Sequence, residues 1–154
     1  MTEIAVNPED PDSPAARWCL GEYYRELDSR FDGGFDPGVK AYAGNDDARP
    51  PAGLFVIAWR DGRAVGCGSF FRRDGTAGEI KRMWVAPAAR GMGVARRILG
   101  ALEAAARAAG VAAVRLDTNA SLKEAQALYR KAGYAEIARF NDNPYADHWF
   151  EKKL

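Results

Sequence analysis

The chain has 154 residues, of which 47% are hydrophobic and 28% are charged, and its formal net charge is +1 at pH 7. A chain of this length typically forms one domain, so we expect a single domain over residues 1–154. A net charge near zero argues against a nucleic acid or an anionic membrane as partner. Two cysteines (Cys19, Cys67) and one histidine (His148) are too few for a structural zinc site, which takes about four ligands, so we expect no metal.

The N-terminal residues are acidic and interrupted by prolines, and the sequence contains no apolar run of about 18 residues. We therefore expect a soluble, cytoplasmic protein with reduced cysteines. The first elements predicted are a short strand, "TEIAV", and a helix over residues 13–31. Ser13 suits the N-cap of this helix, and Trp18, Tyr23 and Leu27 are expected near one face. Residues 32–53, rich in glycine, proline and aspartate, predict a functional loop or a disordered segment.

From residue 54 onward, apolar residues recur with a period of two, which is typical of strands. The strands "LFVIAWR" and "RAVGCGSFF" flank Asp61 and Gly62, a hairpin signal, and a second turn leads into "EIKRMWV". Apolar spacing from Met92 to Ala109 predicts an amphipathic helix that Gly110 ends. The strand "VAAVRLDT" follows, and the β-α-β connection makes it a parallel neighbour of "EIKRMWV".

The last helix is expected to open with a capping box of Ser121 and Glu124 and to stop at Gly133. The strands "AEIARF" and "DHWFEKKL" then form a hairpin around "NDNPYA". The order β-α-β-β-β-α-β-α-β-β predicts an α/β fold with a mostly antiparallel mixed sheet, one parallel step, and helices on both faces.

The segment "VAPAARGMGVARR" places glycines and arginines where a helix begins. A helix N-terminus offers unpaired N–H groups and about half a positive charge, and Gly91 and Gly93 let the backbone approach an anion closely. Arg90, Arg96 and Arg97 add charge, although solvated arginines at an ordinary helix start explain the same pattern. A dinucleotide fingerprint is excluded because its third glycine would fall on Arg96, and the chain contains no Walker loop.

The pattern R-x-x-G-x-A formed by Arg90, Gly93 and Ala95 follows a strand and opens a helix. In this setting it resembles the hallmark motif of the GNAT superfamily of acetyl-CoA-dependent N-acyltransferases. The segment "EAQALYRKAGY", which contains Tyr129, is similar to that family's A-x-x-L-Y-x-x-x-G-[FY] helix. The resemblance covers residues 54–154 well. It implies a GNAT-like fold and transfer of an acetyl group from acetyl-CoA to a primary amine, by direct attack of the amine on the thioester.

The resemblance also implies where coenzyme A binds. The pyrophosphate is expected on the amides of the glycine turn, and the pantetheine arm along the preceding strand. The family often has an asparagine at the position of Leu122, and Asn119 is a substitute for it, unless it caps a turn. Core packing explains the side chain of Trp84 equally well. The predicted cofactor-binding residues are Met83, Trp84, Val85, Arg90, Gly91, Met92, Gly93, Val94, Ala95, Arg96 and Asn119.

Tyr129 and Glu79 are the predicted catalytic residues. In relatives the tyrosine points at the sulfur, and a phenol of pKa ~10 can protonate a thiolate of pKa near 8.5. The N–H near Val85 is the expected oxyanion donor. Glu79 shares strand parity with Met83, and burial would suit it to act as a base. The alternatives are a core tyrosine, an exposed glutamate paired with a basic neighbour, and a water chain as base.

The acceptor pocket is expected between residues 31–53 and the final hairpin loop. Asn143 and Tyr145 are the predicted substrate-binding residues, with His148 nearby, although turn chemistry and edge packing explain them equally well. Acidic residues in both segments, Asp142 among them, hint at a cationic amine, and the small domain favours a small molecule. A non-catalytic acyl-CoA sensor is the alternative function. Families of this kind often dimerise, so a homodimer is compatible with the resemblance.

Overall fold

The computed structural model describes residues 3–38, 45–73 and 76–154, and within these residues seven strands form one sheet that packs against three α-helices. The strands are β1 (Ala5–Pro8), β2 (Gly53–Arg60), β3 (Arg63–Arg72), β4 (Ala77–Val85), β5 (Ala113–Thr118), β6 (Ala135–Ile137) and β7 (His148–Lys153). The helices are α1 (Pro14–Arg30), α2 (Val94–Ala108) and α3 (Lys123–Lys131).

The strands lie in the order β1-β2-β3-β4-β5-β7-β6. The pair β4 and β5 is parallel and the other neighbouring pairs are antiparallel. The predicted order of elements, the mixed sheet and its parallel step are confirmed. None of the helices in the described parts of the chain is long and apolar enough to cross a membrane.

The first helix starts as predicted, but one of its residues is misplaced by the sequence pattern. The Ser13 hydroxyl accepts the Ala16 N–H at 3.0 Å, and Pro14 occupies the first turn. Leu27 is buried, whereas Trp18 is 49% exposed. Nine residues span two and a half helical turns, so these two side chains lie on opposite sides, and the expectation of a shared face was wrong.

The hairpin between β2 and β3 turns at Asp61 and Gly62, with φ of 52° and 73°. Two successive positive φ angles fit the twist of a two-residue hairpin, so this prediction is confirmed. In the long segment before β2, residues 45–48 form one short 3₁₀ turn. The predictions for residues 39–44 and 74–75 lie outside the described residues.

Helix α3 begins differently from the prediction. It starts at Lys123 after Leu122, with no side-chain cap. The Glu124 carboxylate pairs with Arg30 of α1, and the Ser121 N–H donates to Asn119 Oδ1 at 2.9 Å. The predicted capping box was therefore wrong, because a long-range ion pair and an Asx turn use the groups that it required.

The sheet carries a hydrophobic core on each face. Helix α1 covers one face, and α2 and α3 cover the other. The core under α1 includes Cys19, Leu20, Phe55, Ile57 and Trp84, and the core under α2 and α3 includes Ile98, Leu102, Val114, Tyr129 and Phe150.

Strand β4 carries a β-bulge. Cys67 pairs with Trp84 and Ser69 pairs with Lys81, so β4 has one more residue here than β3, and Arg82 has a φ of 60°. A bulge reverses the alternation of side chains beyond it. Met83 packs into the core under α2, as Ile80 does. Glu79 points to the other face, so the expectation that it shares a face with Met83 was wrong.

Strands β4 and β5 separate toward their carboxyl ends. Residues Ala77–Glu79 pair with Ala113–Arg115, and this is the extent of the pairing between the two strands, both of which the structure describes in full. Beyond these pairs, β4 continues to Val85 and β5 to Thr118. The sheet is thus split at its middle, where the backbone edges of two neighbouring strands face each other unpaired.

Candidate active site at the split of the sheet

Two adjoining cavities lie at the split. One has a volume of about 340 Å³ and reaches the N-terminus of α2, and the other, of about 440 Å³, reaches the end of α1 and the loop before β7. We call them the α2 cavity and the loop cavity. Helices α1 and α3 both contribute to the boundary between them. The residues that line both cavities are Tyr23, Leu27, Met83, Leu122, Ala125 and Tyr129.

The turn before α2 combines two glycines of positive φ with backbone amides that have no partner within the helix. Gly91 and Gly93 have φ of 82° and 76°, and a Cβ at either position would meet nothing within 4 Å. The first helical hydrogen bond runs from the Arg97 N–H to the Gly93 carbonyl at 3.1 Å, so the amides of residues 94–96 have no acceptor within the helix. These residues line the α2 cavity, which therefore receives the positive end of the helix dipole.

The side chain of Arg90 folds back from the turn. Its Nε and Nη2 both donate to the Val85 carbonyl at 3.2 Å, and its guanidinium pairs with Glu26 of α1. Arg96 lines the α2 cavity, and its role in binding the cofactor stays a prediction. Met92 is 45% exposed and is not a wall residue of either cavity. The turn thus offers its backbone amides to the α2 cavity, with arginine charge at the rim of that cavity.

The end of β4 offers its backbone to the α2 cavity. The Ala86 N–H points toward β3 and donates to the Val65 carbonyl at 2.8 Å. The polar groups of successive residues in a strand point to opposite edges, so the N–H of Val85 points toward the split. Met83, Trp84 and Val85 all line this cavity. Trp84 is only 5% exposed and belongs to the core under α1, which fits the packing alternative for its side chain.

Tyr129 lies at the junction of the two cavities and is 5% exposed. Its burial raises the pKa of the phenol above the usual value near 10, and the negative charge of Asp117 adds to this effect. Tyr23 of α1 faces the same junction, and burial raises its pKa in the same way. Both phenols therefore remain protonated at neutral pH. The sequence pattern placed Tyr23 on a helix face but did not mark it as a site residue.

Glu79 is fully buried on the face of the sheet opposite Met83. Its carboxylate pairs with Arg73 Nε at 2.5 Å and with Lys81 Nζ at 3.5 Å. The alternative in which Glu79 pairs with a basic neighbour is therefore confirmed. The same alternative expected the Glu79 side chain to be exposed, which was wrong. Glu79 is not among the wall residues of either cavity. Asn141 bridges two carboxylates: its Nδ2 lies 2.6 Å from Asp117 Oδ2 and 3.5 Å from Glu79 Oε2.

The predicted acceptor residues Asn143 and Tyr145 both line the loop cavity. Asn143 Nδ2 donates to Asp117 Oδ1 at 3.2 Å, and Asn143 Oδ1 accepts the Tyr145 N–H at 3.0 Å. His148 instead pairs with Glu136 at 2.7 Å and is not a wall residue. Asp117 is the functional candidate that sequence reasoning missed. Only its place at the end of a parallel strand could have marked it.

Asn119 lies in the loop cavity and not in the α2 cavity. Its Nδ2 donates to the Tyr145 carbonyl at 2.7 Å, and its Oδ1 accepts the Ser121 N–H. The side chain therefore closes a turn and holds the loop before β7. A role in binding the pantetheine arm stays a prediction, and this arrangement fits the turn-capping alternative better.

Comparison with known proteins agrees with this architecture. The sequence model of the acetyltransferase (GNAT) family matches residues 20–134. An IAA acetyltransferase from Azospirillum brasilense is 45% identical over 92 residues, which make up 59% of this chain and 59% of that protein. A GNAT-family acetyltransferase from Staphylococcus aureus superposes with a TM-score of 0.84 at 17% identity, covering 99% of both chains.

A GNAT-family acetyltransferase from Elizabethkingia anophelis, solved with acetyl-CoA bound, superposes with a TM-score of 0.69 at 17% identity and covers 98% of both chains. At these identities the solved structures show the fold alone. The family match extends over most of the chain and includes the glycine turn and Tyr129. The chain therefore belongs to the GNAT acetyltransferase family.

Proposed function

We propose that the protein transfers an acetyl group from acetyl-CoA to a primary amine of a small molecule. The observation that carries this proposal is the pair of adjoining cavities, with an anion-binding turn at the end of one and a carboxylate, Asp117, in the wall of the other. Tyr129 lies where the cavities meet. A thioester held in the first cavity and an amine held in the second would meet at this phenol.

The α2 cavity has the groups that acetyl-CoA requires. The amides of residues 94–96 suit the pyrophosphate, and the open edge of β4 suits the amides of the pantetheine arm. The Elizabethkingia relative was solved with acetyl-CoA bound, which supports the same cosubstrate here. When bound, acetyl-CoA supplies an activated acetyl group as a thioester.

The residues at the junction match the charges that acyl transfer generates. An amine attacking the carbonyl carbon places negative charge on the carbonyl oxygen, and a backbone N–H such as that of Val85 stabilises such an oxyanion. When the carbon–sulfur bond breaks, the sulfur takes a proton, which the Tyr129 hydroxyl can donate. The raised pKa makes this phenol a weaker acid. A thiolate in the same dry cleft is destabilised by desolvation too, so the two pKa values rise together.

The proton that the attacking amine loses needs an acceptor. Glu79 remains our candidate base, because Asn141 connects its carboxylate to Asp117 at the cavity wall. Its ion pairs with Arg73 and Lys81 and its place behind the wall favour relay through water over direct contact with the amine. If Glu79 is the base, Glu79→Gln lowers kcat and changes its pH profile, whereas an unchanged profile assigns the role to water alone.

The test of this function is release of coenzyme A thiol from acetyl-CoA across a panel of amines, with mass spectrometry of the products. Tyr129→Phe should lower kcat by about 10²-fold or more, in the range of general acid catalysis, with little change in coenzyme A affinity. Tyr134→Phe is the matched control, because its hydroxyl donates to Glu103 at 2.7 Å, away from both cavities. Tight binding of acetyl-CoA, with no release of coenzyme A thiol in the presence of any amine, would contradict the proposal and favour an acyl-CoA sensor.

A further inference from the structure

The loop cavity has an aromatic wall, formed by Tyr24, Phe31, Phe35 and Tyr145. The centroid of the Phe35 ring lies 4.7 Å from that of Tyr145, 5.7 Å from that of Phe31 and 5.9 Å from that of Tyr24, which it stacks at 22°. The Asp36 N–H donates to the Tyr145 hydroxyl at 3.1 Å, so the segment that follows α1 and the loop before β7 are held together. All four rings line the cavity.

Asp117 stands in the same cavity as an oriented carboxylate. Its two oxygens accept from the side-chain amides of Asn141 and Asn143, at 2.6 Å and 3.2 Å. An ionised carboxylate offers about four acceptor positions, so two positions remain after these bonds. The negative charge of Asp117 also contributes to the raised pKa values of Tyr23 and Tyr129, which places it within electrostatic reach of the junction.

One residue joins the carboxylate to the aromatic wall. Asn143 donates to Asp117 through Nδ2 and accepts the Tyr145 N–H through Oδ1. A ligand bound beside Asn143 therefore has a negative charge on one side and aromatic rings on the other. This arrangement suits a molecule with a cationic end and an aromatic body.

The other charges of the loop cavity come from Asp36, Lys81 and Arg82. Lys81 pairs with Glu79 and lies over the Phe71 ring at 5.5 Å. Together with Asp117, the formal charges of the cavity thus sum to zero, so net charge alone does not attract cations to it. Selectivity must therefore come from the positions of the wall groups. Asp117 lies where the ammonium of a ligand would bind, and the aromatic rings lie where its apolar body would pack.

We propose that the acceptor is an arylalkylamine, a primary amine joined to an aromatic ring by a short chain. Its ammonium binds Asp117 and its ring packs on the wall of Phe31, Phe35 and Tyr145. Packing of an aromatic ring against these aromatic side chains favours such a ligand over an aliphatic amine of equal size. This inference rests on the proposed acetyltransferase function and names its substrate class.

The first experiment compares 2-phenylethylamine with 2-cyclohexylethylamine as acceptors for the wild-type protein. The two amines have the same chain and nearly the same size, and they differ in the aromatic face. We expect kcat/KM to be about 10-fold higher for the phenyl compound, the scale of one good aromatic contact. 1,4-Diaminobutane, which has two ammonium groups and no ring, should be a poorer acceptor than either. An equal or reversed preference between the two cyclic amines overturns the inference.

The second experiment changes the wall. Asp117→Asn should raise the KM for 2-phenylethylamine by about 10-fold or more and leave coenzyme A affinity unchanged. Asp142→Asn is its matched control, because Asp142 is an exposed aspartate of the loop before β7 and lines neither cavity. Phe35→Leu should lower the ratio of kcat/KM for 2-phenylethylamine to kcat/KM for 2-cyclohexylethylamine.

The outcomes separate this inference from the proposed function. If coenzyme A binds but no amine is acetylated, the proposed function fails. If amines are acetylated while Asp117→Asn leaves KM unchanged, or while Phe35→Leu leaves the aromatic preference unchanged, the arylalkylamine assignment fails and the acetyltransferase function stands. Circular dichroism of each variant identifies loss of folding, and the wild-type comparison of the two cyclic amines needs no variant.

Discussion

Replacing Gly93 with aspartate should weaken coenzyme A binding without unfolding the protein. Gly93 is the N-cap of α2, with a φ of 76°, and a Cβ there would meet nothing within 4 Å. Aspartate and asparagine tolerate this left-handed conformation better than other non-glycine residues. The new carboxylate would stand among the amides of residues 94–96, in the position that the pyrophosphate is proposed to occupy.

The magnitude follows from charge and distance. Two unit charges about 4 Å apart at an effective dielectric constant of about 20 interact by about 4 kcal/mol, and water at the mouth of the cavity lowers this value. We expect a loss of about 3 kcal/mol, which is a factor of about 100 in Kd. The same carboxylate should stabilise α2 through its dipole by about 0.3–1 kcal/mol. Compared with an uncharged side chain that bears the same backbone strain at this position, the aspartate should therefore raise stability and lower affinity.

Gly93→Asn is the matched control, because it has the same shape and the same backbone strain without the charge. Isothermal titration with coenzyme A measures the difference between the two variants. Pantetheine, which lacks the diphosphate, should bind both variants equally, and 1 M salt should narrow the gap by screening. Equal coenzyme A affinity for the aspartate and asparagine variants would refute the placement of the pyrophosphate on this turn.

Three further predictions concern Glu26, Tyr129 and Glu103. Glu26→Gln should tighten coenzyme A binding several-fold by titration calorimetry, because it releases the Arg90 guanidinium from its ion pair; weaker binding would show that the pair shapes the turn. Tyr129→Phe should remove one phenol from the group that ionises well above pH 10 in an absorbance titration. Because the pKa of that phenol is raised in the folded state, its contribution to stability is complete below pH ~10 and is lost as the pH rises further. Glu103→Ala should lower the free energy of unfolding by about 3 kcal/mol in urea titration, since it leaves Lys152, 3.0 Å away, without its carboxylate; a loss below about 1 kcal/mol would contradict a structural role.

The sequence predicts most of the fold because its signals are local. The Asp61–Gly62 turn, the apolar stripe of α2 and the glycine that ends it act within a few residues of the chain. The parallel step also follows, since a β-α-β connection has one favoured hand. The capping box of Ser121 and Glu124 was wrong because Arg30, more than 90 residues away in the sequence, takes the glutamate. A local motif cannot reveal such a competitor.

The site divides in the same way. The glycine turn before α2 is a property of consecutive residues, so most residues that line the cavity there could be predicted one by one, although Met92 was predicted with them and lines neither cavity. The acceptor side is assembled from α1, β5 and the loop before β7, and no spacing in the sequence connects Phe31 with Asp117 or Tyr145. In the sequence, Asp117 is recognisable only as a residue at the end of a predicted strand. Its bonds to Asn141 and Asn143 arise only when the chain folds.

The bulge at Arg82 joins these two halves. Without the extra residue, the alternation of β4 would put Met83 on the same face as Glu79. With it, Met83 packs under α2 and lines both cavities, and Glu79 stays buried behind the wall beside Asn141. A φ of 60° in an arginine is uncommon, and local pairing with β3 is lost at this point. The bulge lies three residues beyond Glu79, the last residue of β4 that pairs with β5, in the part of the strand that lines the proposed ligand cavities.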